Sequence, residues 1–273
     1  MKRMPKILRI GTIATLVGIG VPSQAQTLTT SPLTIVSAAA HTTIVPFGST
    51  IIPGSLRAED SSAAAAWVVP SRWGLRELST VHALLHLRSN TWSGAITLSS
   101  LPMDRYTELT ASTLGAFELS ERLIAAIAAE YTFARARGFA AEHLVTVNAH
   151  MIFTIDSGTA IGLAATNLGQ TRRDGAQSGA VSHLRVGLGH RLTHDLSADA
   201  DAVLLLRMPA GMSIALRWDA TPWLVLRAAY ATIPQSAEAS VQLRAFNGIA
   251  IIATVPYHIT LGASPTIGVA YRW

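Results

Sequence analysis

The sequence predicts an all-β fold: an antiparallel up-and-down transmembrane β-barrel of about twelve strands, with fourteen as the alternative. Three observations carry this. Apolar and polar residues alternate with a period of two along most of the chain beyond residue 92, as strands with one apolar face require. Turn signals recur about every ten residues, the spacing of membrane-crossing strands. Charged residues make up only 14 % of the chain and hydrophobic ones 49 %, yet no stretch beyond residue 26 holds 18 consecutive apolar residues. A helical span needs such a run; a barrel distributes its lipid contact among alternating polar residues.

Twelve segments follow in order. "WSGAITLS" sets Trp92, Gly94, Ile96 and Leu98 on one face. "YTELTASTLGAF" opposes Glu108, Thr110 and Ser112 to Leu109, Ala111 and Thr113. "RLIAAIAAEYTFA" keeps Leu123, Ile127, Tyr131 and Phe133 in one register and Glu130 and Thr132 in the other. In "HLVTVNAHMIFTI", Val145, Val147, Ala149, Met151 and Phe153 face away from Thr146, Asn148, His150 and Thr154. The pattern runs on through "GTAIGLAATN", "AVSHLRVGLGHRL", "LSADADAVLLLR", "GMSIALRWD", "WLVLRAAYA", "EASVQLRAF", "GIAIIATV" and "TIGVAYRW".

The connections form two sets. With Trp273 at the periplasmic end, the outward connections are "SLPMDR", "RARGFAAE", "LGQTRRDGAQSG", "MPA", "TIPQSAE" and "PYHITLGASP". The inward ones are the short "LSE", "DSG", "THD", "DATP" and Asn247-Gly248. Short periplasmic turns and longer outer loops are the habit of such barrels, and Asn-Gly suits a two-residue type I′ hairpin.

The N-terminus reads as an export signal. Lys2, Arg3, Lys6 and Arg9 precede the apolar "IGTIATLVGIGV", and "PSQA" offers small residues before a cut between Ala25 and Gln26. Residues 1–25 are therefore expected to be a cleaved signal peptide, and the bacterial outer membrane is the expected location. Those four are among the chain's 21 basic residues, so 17 remain against 16 acidic ones. A nearly neutral chain without a basic, aromatic-interleaved tract is not a nucleic-acid binder. The absence of cysteine excludes disulfides and thiolate metal sites.

Residues 26–91 read as an N-terminal periplasmic or plug segment, or as the first two strands, ahead of a barrel over 92–273. Within them "AEDSSAAAAW" suggests a loop entering a short helix, and prolines punctuate the stretch. "STVHALLHLR" is a possible further strand with Val81, Ala83, Leu85 and Leu87 on one face. Termini on the same side demand an even count, and "LTIVSAAAHTTIV" is the expected companion.

"IGLAATNLGQ" (161–170) and "VPYHITLGASPTIGVAYRW" (255–273) resemble the matching stretches of the PorV/PorQ outer-membrane barrels, and "VVPSRWGLREL" is similar to the Asn-Pro-Ala segment of their N-terminal region. That group is associated with type IX secretion and is distantly related to the FadL hydrophobe transporters. The resemblance implies fourteen strands, no enzymatic activity, and an accessory or interaction role with secretion-system proteins as partners. A FadL-like or porin-like passage for small or hydrophobic solutes is the alternative.

Neither catalysis nor a cofactor is expected. His150 beside Asn148 lacks a motif-marked serine, and His82 and His86 lack a third metal ligand. If the Trp273 parity meets lipid, then Glu108, Glu130, Asn148, His150, Arg185, Asp199, Asp201, Arg217, Arg227, Arg244 and Arg272 line the lumen. Their charges are expected to pair, or else Arg217, Arg227, Arg244 and Arg272 form an anion-favouring face. Ile267, Val269, Tyr271 and Trp273 are the expected insertion signal, presented to outer-membrane lipid and to the barrel-assembly machinery.

Overall fold

A computed structural model describes residues 62–89, 91–172, 182–205, 209–233 and 235–273. The expected signal peptide and the segment "LTIVSAAAHTTIV" lie outside them. The described chain is one antiparallel sheet. It comprises β1 (Ala63–Val69), β2 (Thr80–Arg88), β3 (Trp92–Pro102), β4 (Tyr106–Ser120), β5 (Leu123–Ala136), β6 (Glu142–Thr154), β7 (Thr159–Arg172) and β8 (His183–Arg191). These continue into β9 (Leu196–Leu205), β10 (Gly211–Thr221), β11 (Leu224–Thr232), β12 (Gln235–Arg244), β13 (Ile249–His258), the two-residue β14 (Gly262–Ala263) and β15 (Thr266–Arg272). Each long strand pairs with its sequence neighbours, and β1 pairs with β15, so the sheet closes on itself.

The barrel therefore has fourteen long strands and one short extra one, which corrects the count of twelve. All twelve expected segments are strands, β3 to β13 and β15. The two additional strands, β1 and β2, fill the seam between β3 and β15. β2 is the strand expected around Val81 to Leu87. Its companion is Ala63–Val69, not a helix, and both strands lie within residues 26–91. A run of four alanines has no hydrophobic period, so only pairing reveals its state: Ala63 and Ala65 are buried against the inner wall while Ala66 is exposed.

Closure decides which face is which. Val81, Leu85, Ile96, Leu98, Leu109, Ile127, Met151, Ile214, Ile251 and Val269 are exposed on the outside, where only lipid relieves the cost of wetting them. Aromatic residues gather at the two rims of this band. Trp92, Phe117, Phe153, Trp218, Trp223 and Tyr271 lie at the end that holds Ser62 and Trp273; Tyr131, Tyr230 and Tyr257 lie toward the other. Such girdles mark lipid–water interfaces. A nine-residue strand such as β11 extends about 30 Å, and tilted by about 40° it covers roughly the 25 Å apolar band of these barrels.

The connections sort by end. At the terminal end, the one holding Ser62 and Trp273, run 121–122, 155–158, 192–195, 222–223 and 245–248; at the opposite end run 70–79, 103–105, 137–141 and 259–265. Most of "TIPQSAE" belongs to the ladder, because Thr232 and Gln235 still pair. Of "LGQTRRDGAQSG", β7 takes the residues up to Arg172, and 173–181 lie outside the described residues. At the terminal end, Asn247 and Gly248 have φ of 61° and 79°, the positive values a type I′ turn requires. The ladder breaks once between β6 and β7, at Val147/Ala149. There Asn167 takes φ 56° and donates its N–H to Asn148 Oδ1 at 2.9 Å, so a side-chain amide replaces the lost backbone partner.

Candidate functional site

The inner wall is the candidate site, and alternation places its residues there. Glu108, Glu130, Asn148, His150, Arg185, Asp199, Asp201, Arg217, Arg227, Arg244 and Arg272 all occupy positions opposite in parity to the exposed apolar band. Hydroxyls surround them: Thr110 bonds Thr132 across β4 and β5 at 3.1 Å, Thr97 bonds Ser112, and Thr254 donates to Ser240 at 3.0 Å.

The arginines do not form a face of bare cations. Arg227 pairs with Glu238, both side chains nearly inaccessible, and Ser240 also donates to that carboxylate. Arg217 and Arg244 share Asp219 at 3.2 Å and 2.9 Å. Arg88 pairs with Glu118 at 2.9 Å, and Arg185 lies within electrostatic reach of Asp201. A low-dielectric enclosure penalises an unpaired ion by several kcal/mol, so such pairing is what physics asks of these residues. The two candidates for catalysis are not brought into a triad: Asn148 is engaged at the bulge, while His150 is buried among the small side chains paired beside it, Ala126 and Ala164. His82 and His86 both face inward from β2, and no group of three metal-ligating side chains occurs among the described residues.

Sequence reasoning did not anticipate the apolar part of the wall. Val225, Ile252, Ala270, Ala65, Trp67, Leu84, Ala95, Leu114 and Ala128 form one buried cluster, an arc that runs from β11 across the β15–β1 seam to β5. Trp67 is its largest member. It stacks on His82 with ring centroids 5.0 Å apart and planes 7° apart. Across the seam it faces Gly268, where a Cβ would approach Trp67 Cβ to 2.6 Å and the Ala66 carbonyl oxygen to 2.9 Å. The glycine lets β15 approach the Trp67 backbone this closely. Ile252 was detectable, since it occupies the inward parity of "GIAIIATV" directly beside outward Ile251.

Beyond Trp67 the connection 70–79 is tied to residues 263–264. Arg72 and Leu75 bridge each other, with Leu75 N–H donating to Arg72 O at 2.9 Å. Trp73 N–H donates to Ser264 Oγ at 2.9 Å, and Gly74 N–H to Ala263 O at 3.2 Å. Arg72 is 1 % exposed. Burial draws its guanidinium down to about 10, opposed by the charge of nearby Glu108.

A closed sheet whose outer band is apolar and whose charges face inward defines a membrane-spanning β-barrel. Solved structures agree on the architecture. The Ralstonia pickettii toluene transporter TbuX matches with a TM-score of 0.59 at 11 % identity, over 84 % of this chain and 94 % of that one. The Pseudomonas putida toluene transporter TodX matches at 0.58 and 10 % identity, over 91 % and 98 %. A Pseudomonas aeruginosa FadL homologue matches at 0.50 and 10 % identity, over 81 % and 91 %. No protein-family model and no curated protein sequence matches the chain. The likeness to these three barrels is one of fold, and it lends no support to the PorV/PorQ assignment specifically.

Proposed function

We propose that this chain is a bacterial outer-membrane barrel that passes small hydrophobic solutes, not a secretion accessory. The observation that carries this reading is the apolar arc on the inner wall, from Val225 through Ile252 and Trp67 to Ala128. Water-filled porins keep a polar interior, whereas sites for apolar ligands are lined mainly by hydrophobic and aromatic side chains with a few placed polar groups. The ion pairs support the same reading. With Arg227 matched by Glu238, and Arg217 and Arg244 sharing the one carboxylate of Asp219, three cations meet two carboxylates and little excess positive charge is left to select an anion, so the arginine-face alternative recedes. The toluene-transporter neighbours support the fold in which such a passage is built, and residues 1–25 are proposed to direct export to that membrane.

The test is uptake of N-phenyl-1-naphthylamine by intact cells lacking their own hydrophobe transporters. Expression of the barrel should speed the fluorescence rise. Ile252→Lys, which sets a charge in the arc, should slow it at equal barrel content. An inserted barrel that speeds sugar entry equally well, or neither solute, would overturn the proposal.

A further inference from the structure

The turn at Trp73-Gly74 is built against its own residue preference. Both central residues have positive φ, 54° and 75°, as a type I′ turn demands. The same requirement at 247–248 is met by Asn and Gly. A bulky non-glycine residue at positive φ is an outlier that surrounding structure must hold in place. Here Ser264 and Ala263 hold it, through the two backbone hydrogen bonds already described.

The held turn presents unused donors. Arg72 Nε and Trp73 Nε1 are both inaccessible and without a hydrogen-bond partner. The guanidinium centre lies 5.9 Å from the Trp73 ring centroid, so both donors belong to one neighbourhood. Buried donors are nearly always satisfied, and those that are not call for an explanation. Glu108, which accepts from Tyr106, lies within electrostatic reach of Arg72. The local charge is therefore largely balanced, and what is missing is an acceptor atom rather than an anion. Beyond the inward pair Val69–Thr80 lie the stacked Trp67 and His82, a flat aromatic pair whose His82 ring nitrogen bonds Thr80.

We propose that the Arg72–Trp73 turn is an entry subsite for small aromatic molecules that carry one neutral oxygen acceptor. The oxygen of an aryl ether, ketone or phenol accepts from Arg72 Nε–H and Trp73 Nε1–H, and the ring rests toward Trp67 and His82. This rests on the hydrophobe-passage reading and narrows its substrate class.

The experiment measures binding of naphthalene, 2-methoxynaphthalene and 2-naphthol to the folded, detergent-solubilised barrel, each referred to its partition into empty micelles. The wild type should bind 2-methoxynaphthalene more tightly than naphthalene. Trp73→Phe, which removes the indole N–H and keeps an aromatic ring, should cut that preference by about fivefold to tenfold, the worth of one hydrogen bond, and leave naphthalene unchanged. The wild-type comparison needs no variant to fold. Equal binding of the two ligands by the wild type, or an equal loss of both in Trp73→Phe, overturns the subsite alone. Absence of all binding to the folded barrel overturns the passage reading with it.

Discussion

At the scale of single residues, position on the wall decides what a side chain can be. Leu98 lies at the middle of β3, 56 % exposed, whereas Leu119 lies near the terminal-end rim of β4, 62 % exposed. Their exposures differ little, but their depths in lipid differ greatly. Leu98→Arg should cost about 2–4 kcal/mol of folding stability and Leu119→Arg no more than about 1 kcal/mol, measured by urea titration in lipid vesicles. Equal costs would mean that the apolar band does not face a membrane. The inner wall obeys the opposite rule. Arg227→Leu alone strands the buried Glu238 carboxylate and should destabilise by about 3–5 kcal/mol, while Arg227→Leu combined with Glu238→Leu should recover most of the loss. The same denaturant titration, run as a double-mutant cycle, checks it.

At the scale of elements, a strand's identity comes from its partners and a turn's from its dihedrals. β1 is mostly alanine, the strongest helix former and a residue depleted in strands, and it is a strand because β2 and β15 supply ladders on both sides. The 247–248 turn is specified locally. Gly248 has φ 79°, and a Cβ there would stand 2.2 Å from the Arg272 carbonyl oxygen, a clash with backbone that no rotamer change relieves. Gly248→Ala should therefore lower the folded fraction recovered after refolding and lower the melting temperature. Asn247→Gly, which keeps positive φ accessible, should leave both nearly unchanged. Folded fraction is read from heat-modifiable mobility on gels.

At the scale of the whole molecule, the barrel works only when closed, because lipid satisfies no unpaired backbone group. Closure falls to short strands: β1 and β15 each have seven residues. Beyond their ladder, Trp273 N–H donates to Ser62 O at 3.1 Å, and the Trp273 ring stacks on Tyr271 at 5.8 Å between centroids. Trp273→Ala removes the ring from the interfacial girdle beside this seam. It should lower the fraction of chain that inserts as a heat-modifiable barrel, while export to the periplasm continues. Membrane fractionation together with gel mobility checks this, and insertion equal to that of the unaltered chain would deny the residue any role in assembly.

The sequence by itself determined the fold class and the twelve strands beyond residue 92. A strand with one face in lipid must alternate, and alternation is written locally. It also determined the Asn247-Gly248 turn, since positive φ at both positions is a residue-level demand. It did not determine the count of fourteen, because Ala63–Ala66 carry no period and become a strand only by pairing with β2 and β15. Nor did it determine which arginines are neutralised. Arg227 meets Glu238, and Arg244 meets Asp219, only after registers between neighbouring strands are set. The apolar arc and the Arg72–Trp73 turn were likewise decided by tertiary structure. Their residues come from strands and a loop far apart in sequence, and only closure of the barrel brings β11, the seam and β5 onto one wall.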